Sequence, residues 1–130
     1  MIFDTDVLIW IQRGSEKAAR VVDRSIDRYI SIVTYMELLQ AANNKKQHDY
    51  ISNFLREFGF QTLPLTESIG HRAAVYVEEY SLSHGIRAID AIIAATATEN
   101  HLPLCSGNAK HFVPCHRQKL DFSTKNAALI

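Results

Sequence analysis

Met1-Ile2-Phe3-Asp4-Thr5-Asp6-Val7-Leu8-Ile9-Trp10 is the stretch on which the fold turns. A short apolar run ends on a carboxylate, and after Asp6 the apolar residues resume in a pattern that suits a helix. A strand feeding directly into a helix is the unit of an open α/β sheet, whose ligands sit outside the carboxyl ends of the strands. Asp4, ending a central first strand, therefore points into a candidate site.

Working outward, Val7 to Gln12 reads as a short helix stopped near Gly14. Ser15 can cap a helix to about Asp27, with Ala18, Ala19, Val22 and Ile26 on one face. Tyr29 to Val33 reads as a second strand, and Thr34 begins a helix carrying Met36, Leu38, Leu39 and Ala42. The polar Asn43-Asn44-Lys45-Lys46 forms a helix–helix loop before Tyr50, Ile51, Phe54, Leu55 and Phe58 at helical spacing. Gly59 breaks that helix, and Phe60 to Leu65 is a third strand whose Pro64 suits a sheet edge. Thr66 starts a long helix to about His84, ended by Gly85. Ile89 to Asn100 is so apolar that burial on nearly all sides is expected. Leu102 to Ser106 gives a fourth strand, and a last short strand fits around Lys119 to Phe122. Strands separated by helices imply a parallel sheet with right-handed crossovers. With no repeat, low-complexity tract or linker, the expectation is one α/β domain over residues 1–130, its parallel sheet of four to five strands flanked by helices.

The chain has 130 residues, 47% of them hydrophobic, enough for one domain with a sizeable core. Fourteen basic and 14 acidic residues give a formal charge of zero. Bulk charge therefore announces no nucleic-acid partner, and such a partner must meet a local patch. Neutrality still suits an enzyme whose metal ions supply positive charge. No leader pattern and no apolar run of about 18 residues is present, so the expected compartment is the cytoplasm, with no membrane partner. Cys105 and Cys115 are too few for a disulfide framework, and Cys105 reads as a small hydrophobe in an apolar run.

Each remaining acid has a local structural role open to it. Asp4 can cap the following helix, as can Thr5 or Asp6. Glu37 follows Thr34 by three positions, the spacing of a capping box. Asp90 can be the N-cap of the apolar helix, and Asn108, after Ser106-Gly107, a turn residue or cap. Yet Asp4, Glu37, Asp90 and Asn108 all fall near a strand's carboxyl end or a helix start, positions that converge on one edge of a parallel sheet. Three carboxylates brought together raise one another's pKa values unless a cation neutralises them. A hard divalent cation is the natural partner for such oxygens. Glycine-rich phosphate loops and a nucleophile elbow are absent. His101, His111, His116 and Cys115 match no standard zinc spacing and read as solvated or packed side chains.

Four segments together resemble the PIN-domain family, most closely its VapC-type toxins. They are Asp4-Thr5-Asp6-Val7-Leu8-Ile9, Ser31 to Leu38 with Thr34 and Glu37, Ile89-Asp90-Ala91 through Ala97, and Ser106-Gly107-Asn108 through Phe112. The resemblance implies helices around a parallel sheet, Mg²⁺- or Mn²⁺-dependent endoribonuclease activity, a cognate antitoxin that occludes the site, and a homodimer. It carries Asp4, Glu37 and Asp90 over as acidic metal-site residues. Asp4 and Asp90 would bind the principal ion, and Glu37 would act directly or through water. Asn108, where many members have a fourth acid, would orient a metal-bound water or help hold a second ion. Thr5 and Thr34 match positions whose hydroxyls support the carboxylates. Asp6 falls where asparagine is usual, and the tail beyond Phe112 follows the pattern poorly.

Two other readings compete. The Asp4-x-Asp6 opening also begins haloacid-dehalogenase-like phosphatases, but that fold expects later acids that Ser106 to His111 do not supply. A non-catalytic PIN scaffold binding RNA or protein would account for Asn108. For an RNA substrate, Arg13, Lys17, Arg20 and Arg87 are candidate phosphate contacts; solvated helix faces, or for Arg87 a salt bridge to Asp90, are their structural alternatives. Trp10, Tyr35, Met36, Leu39 and Tyr50 are candidates for an apolar partner surface, with the helix pair from Thr34 to Phe58 as the place for an antitoxin.

Overall fold

Ile2 and Phe3 point to opposite faces of one sheet and divide the core between them, as the two-residue period of a strand requires. The computed structural model describes residues 1–108. Along the chain run β1 (Ile2–Phe3), α1 (Thr5–Gln12), α2 (Glu16–Arg24), β2 (Arg28–Ser31), α3 (Ile32–Ala41), α4 (Lys45–Glu57), β3 (Phe60–Leu63), α5 (Glu67–His84), α6 (Ala88–Glu99) and β4 (Leu104–Cys105). The four strands are parallel in the order β3-β2-β1-β4, which puts β1 inside and leaves β3 at an edge, as expected. Ile2 lies opposite Tyr29 and Leu104, and Phe3 opposite Cys105.

On one face Ile2 and Leu104 pack with Ile69, Ala73 and Tyr76 of α5 and Ala91, Ala94 and Ala95 of α6. On the other, Phe3, Ile30 and Cys105 pack with Val7 and Leu8 of α1, Ala18 and Val22 of α2, Leu38 of α3 and Phe54 of α4. Along α6, Ala91 and the run from Ile93 to Ala97 are buried, so this helix is enclosed on most sides as its composition predicts. Gly85 ends α5 in the left-handed region at φ 68°, where a Cβ would be strained. Among the described residues no helix is long and apolar enough to cross a membrane.

Helix α2 ends at Arg24, short of Asp27, which leaves Ile26 exposed, and two helix starts also depart from expectation. Helix α3 begins at Ile32, not Thr34, because the Ser31 hydroxyl accepts the Val33 N–H at 3.2 Å. Ile32 and Val33 thus leave the predicted strand, and the Thr34–Glu37 capping box does not form. Helix α4 starts at Lys45, since the Asn44 side chain accepts the Gln47 N–H at 2.9 Å and caps it. Half of the predicted polar loop is therefore helix. The strand expected around Lys119 to Phe122 lies outside the described residues.

Candidate functional site

Asp4 continues the sheet ladder one residue past β1, its N–H donating to the Cys105 carbonyl at 2.9 Å. Its side chain is 7% exposed and each oxygen has a donor. Oδ1 accepts the Thr5 N–H at 2.7 Å, and Oδ2 accepts the Ser106 hydroxyl at 2.7 Å. Burial pushes the carboxyl up to about 7; the charge of Asp6 adds to this and that of Asp90 adds less, while the two hydrogen bonds oppose it. Ser106 in turn accepts the Asn108 N–H at 2.9 Å, so one hydroxyl ties the turn after β4 to the end of β1.

Thr5, the first residue of α1, reaches across to α3. Its hydroxyl lies 2.6 Å from Glu37 Oε1 and 3.1 Å from Thr34 Oγ1. A hydroxyl has one proton, and an ionised Glu37 can only accept. Thr5 therefore donates to Glu37, and the fully buried Thr34 hydroxyl donates to Thr5. Glu37 is fastened by this pair and is not a capping residue.

Asp90 is the third residue of α6. Its Oδ2 accepts the Arg87 N–H at 3.4 Å, which makes Arg87, not Asp90, the N-cap position. The arginine side chain has no acceptor to return, so only the carboxylate half of a capping box can operate. Among the described residues the one ion pair is Arg72–Glu99, so the salt bridge to Asp90 that was the structural alternative for Arg87 does not form.

Asp6 is the residue that sequence reasoning passed over. It stands in the first turn of α1, and its Oδ1 is buried with no hydrogen-bond partner. Burial raises its pKa and the charge of Asp90 adds to that, while the N–H groups of Gly107, Val7 and Asp6 itself oppose it. Asp4, Asp6 and Asp90 thus repel one another across β1, α1 and α6. Glu37 joins them through Thr5, and Asn108 through its backbone and Ser106. The role of Ser106 had one sequence signal, its place at the end of β4, which matches the place of Asp4 after β1.

Among the described residues, no three acidic, histidine or cysteine side chains converge closely enough to chelate an ion as they stand. The fit to a divalent cation is one of charge and donor type: hard carboxylate oxygens, mutual repulsion, and one buried oxygen without a partner. A zinc cluster gains nothing, since His101 is exposed on the turn after α6 and His111, Cys115 and His116 lie outside the described residues. Arg13, Arg20 and Arg87 are exposed and Lys17 half-buried. Of the apolar candidates, Met36 and Tyr50 are exposed, while Trp10, Tyr35 and Leu39 pack against the core.

A family model of the PIN domain matches residues 1–112. The chain belongs to the PIN-domain family. Its match spans Asp4, Glu37, Asp90 and Asn108 and sets the phosphatase reading aside. This PIN domain is similar to a chain in a toxin-antitoxin complex from Klebsiella pneumoniae, with a TM-score of 0.73 and 27% identity over 85% of this chain and 88% of that one. It is also similar to a chain of FitAcB from Neisseria gonorrhoeae, with a TM-score of 0.70 and 26% identity over 88% and 91%. Likeness to a chain of VapBC2 from Rickettsia felis, at 18% identity over 85% and 90% with a TM-score of 0.66, is one of fold. Comparison with curated proteins gives no match.

Proposed function

We propose that this PIN domain is a metal-dependent endoribonuclease and the toxin of a toxin–antitoxin pair. The observation that carries the reading is the buried carboxyl of Asp4 at the end of β1, with the charges of Asp6 and Asp90 beside it at the starts of α1 and α6. A buried carboxylate that faces other acids stabilises the fold least when ionised, and a cation reverses that balance. Family membership supports the same chemistry, and the toxin-antitoxin context of the similar structures supports the biological role.

Asp4 and Asp90 would hold the principal ion, and Glu37 would contact it directly or through water. When bound, Mg²⁺ or Mn²⁺ lowers the pKa of a water and stabilises charge on a phosphodiester. The chain's own part is orientation. Ser106 and the Thr5 N–H fix the Asp4 carboxylate, the Thr5 hydroxyl fixes Glu37, and Asn108 would orient a water or help hold a second ion. Arg13, Lys17, Arg20 and Arg87 would steer RNA phosphates toward the site. An antitoxin would lie on α3 and α4, where Met36 and Tyr50 are exposed. A homodimer, a cytoplasmic location and a single domain over residues 1–130 complete the reading.

The test is incubation of the purified protein with a mixed RNA pool in Mg²⁺, Mn²⁺ or EDTA, beside Asp4→Asn and Asp90→Asn. Discrete cleavage that needs metal and is lost in both variants is the expected result. Intact RNA with well-folded, antitoxin-free protein would turn the reading to a binding-only scaffold.

A further inference from the structure

Lys17, Arg20 and Arg24 stand at i, i+3 and i+7 of α2 and so fall within one narrow strip of its surface, about 10 Å long. The strip lies apart from Ala18 and Val22, which are buried against the core, and both arginines are exposed. Like charges at these spacings repel and weaken a helix. Three structural roles fail to account for them. Lys17 is in the first turn, where the helix dipole opposes a cation. Arg24 is in the last turn, where a cation is favoured, but Arg28 already serves that end by donating to the carbonyls of Val22, Asp23 and Ser25. Glu16 and Asp23 stand within reach of Arg20 by spacing, yet the one ion pair among the described residues is Arg72–Glu99.

A chain with no net charge thus carries a stripe of three cations that pair with no acid among the described residues. We propose that Lys17, Arg20 and Arg24 form a track for the phosphates of a single-stranded RNA segment flanking the bond to be cut. This track presupposes the nuclease reading above and adds to it the form of the RNA and the face on which it lies. Arginine's planar fork grips phosphate oxygens through paired hydrogen bonds. Arg13, at the C-cap of α1, stands four residues before Lys17, and α1 begins at Thr5 beside Asp4. Arg24 lies near the start of β2, at the sheet edge opposite the acids, because Arg28 joins the end of α2 to that strand. Cations therefore lead from the helix that starts at the acids to the far end of the domain. A single row suits one strand. A duplex would lay its second backbone over the adjoining strip, where Glu16 and Asp23 are exposed and repel phosphate.

The test is fluorescence anisotropy of a twelve-nucleotide oligouridylate with the full chain in EDTA, from 0.05 to 0.3 M KCl. Wild type is compared with the triple variant Lys17→Gln, Arg20→Gln, Arg24→Gln, and with Lys45→Gln, Lys46→Gln as a control for net charge. Each phosphate contact to a single strand contributes about 0.7 to the slope of log affinity against log salt, so the triple variant should lose about 2. Its affinity at 0.1 M KCl should fall roughly a hundred-fold, while the lysine control keeps the wild-type slope. Thermal melting of the triple variant should match or exceed that of wild type, because repulsion within α2 is relieved. In Mg²⁺ its loss in RNA cleavage should appear in KM and not in kcat. A wild-type slope in the triple variant, with RNA still cleaved by wild type in Mg²⁺, overturns the track and leaves the nuclease reading standing. A twelve-base-pair RNA duplex bound as tightly as the single strand overturns the single-strand assignment. Displacement by polyglutamate of equal charge, as effective as by unlabelled RNA, would overturn the track in favour of an acidic protein segment. Absence of both binding and cleavage by the wild type would overturn both readings.

Discussion

The Ser106 hydroxyl donates to Asp4 Oδ2 at 2.7 Å across 102 positions of sequence, joining the ends of two neighbouring parallel strands. The bond favours the charged carboxylate and works against its burial. Ser106→Ala should therefore raise the Asp4 pKa further. The pH at which Mn²⁺ binding is half-maximal should move upward, and Ser106→Thr should restore it. Hydrogen bonds to charged groups are worth about 1.5–3 kcal/mol, so stability at pH 8 should fall by a comparable amount. Mn²⁺ titration at several pH values reads the shift. An unmoved midpoint would show that Ser106 only closes the turn.

Asp4 also makes stability depend on pH with a definite sign. In the folded chain its carboxyl keeps a proton up to a pH of about 7, against an ordinary value of 3.8. Between those limits the folded state binds more protons than the unfolded state, so unfolding free energy falls as pH rises. The penalty is absent below the lower limit and complete above the upper one. Urea denaturation in EDTA from pH 4 to 8 should show this decline, with a shallower slope in Asp4→Asn. Asp6 shifts in the same direction and leaves a residual slope. A slope identical in wild type and Asp4→Asn would assign the dependence to other groups.

The central strand and its terminal acid were legible because an apolar run that ends on a carboxylate and gives way to a helical pattern fits little besides a buried strand reaching a sheet edge. The start of α3 was not. Ile32 and Val33 are β-branched and extend the apparent strand, while Ser31 and Thr34 are both plausible caps, and only the bond from the Val33 N–H decides between them. Once Ser31 takes that role, Thr34 and Glu37 are free for the buried bridge with Thr5. Asp6 was hidden for a different reason. A carboxylate two residues after Asp4 looks like an ordinary first-turn acid, and that one oxygen is enclosed without a donor is a tertiary fact. The Ser106–Asp4 bond likewise depends on sheet register, which places Phe3 beside Cys105.

Thr5 links α1 to α3 through one hydroxyl, so its removal should separate the effects on shape and on chemistry. Thr5→Val keeps the volume but frees the Glu37 carboxylate and leaves the buried Thr34 hydroxyl without its partner. A loss of about 1–3 kcal/mol in urea denaturation is expected from the unpaired group. Metal-dependent RNA cleavage per folded molecule should also fall, and Thr5→Ser should recover both. Full cleavage by Thr5→Val would remove the Thr5–Glu37 bond from the working site.

Arg28, at the start of β2, offers the opposite test, a residue important to the fold and remote from the acids. Its Nε donates to the carbonyls of Val22 at 3.0 Å and Ser25 at 3.3 Å, and one terminal nitrogen donates to that of Phe58 at 2.8 Å. One guanidinium thus closes the carboxyl ends of α2 and α4, where helix dipoles favour a cation. A lysine cannot reproduce this, because its ammonium is a point charge and lacks the planar fork. Arg28→Met should lower stability by about 2 kcal/mol, with Arg28→Lys recovering only part of it. Ser31 stands at the other end of β2, roughly 10 Å along a strand from Arg28, so metal affinity and cleavage per folded molecule should stay at wild-type values. Urea denaturation of both variants, with Mn²⁺ titration of the same samples, makes the comparison. Weakened Mn²⁺ binding at unchanged stability would mean that the two ends of the sheet are coupled and that Arg28 does more than fasten two helices.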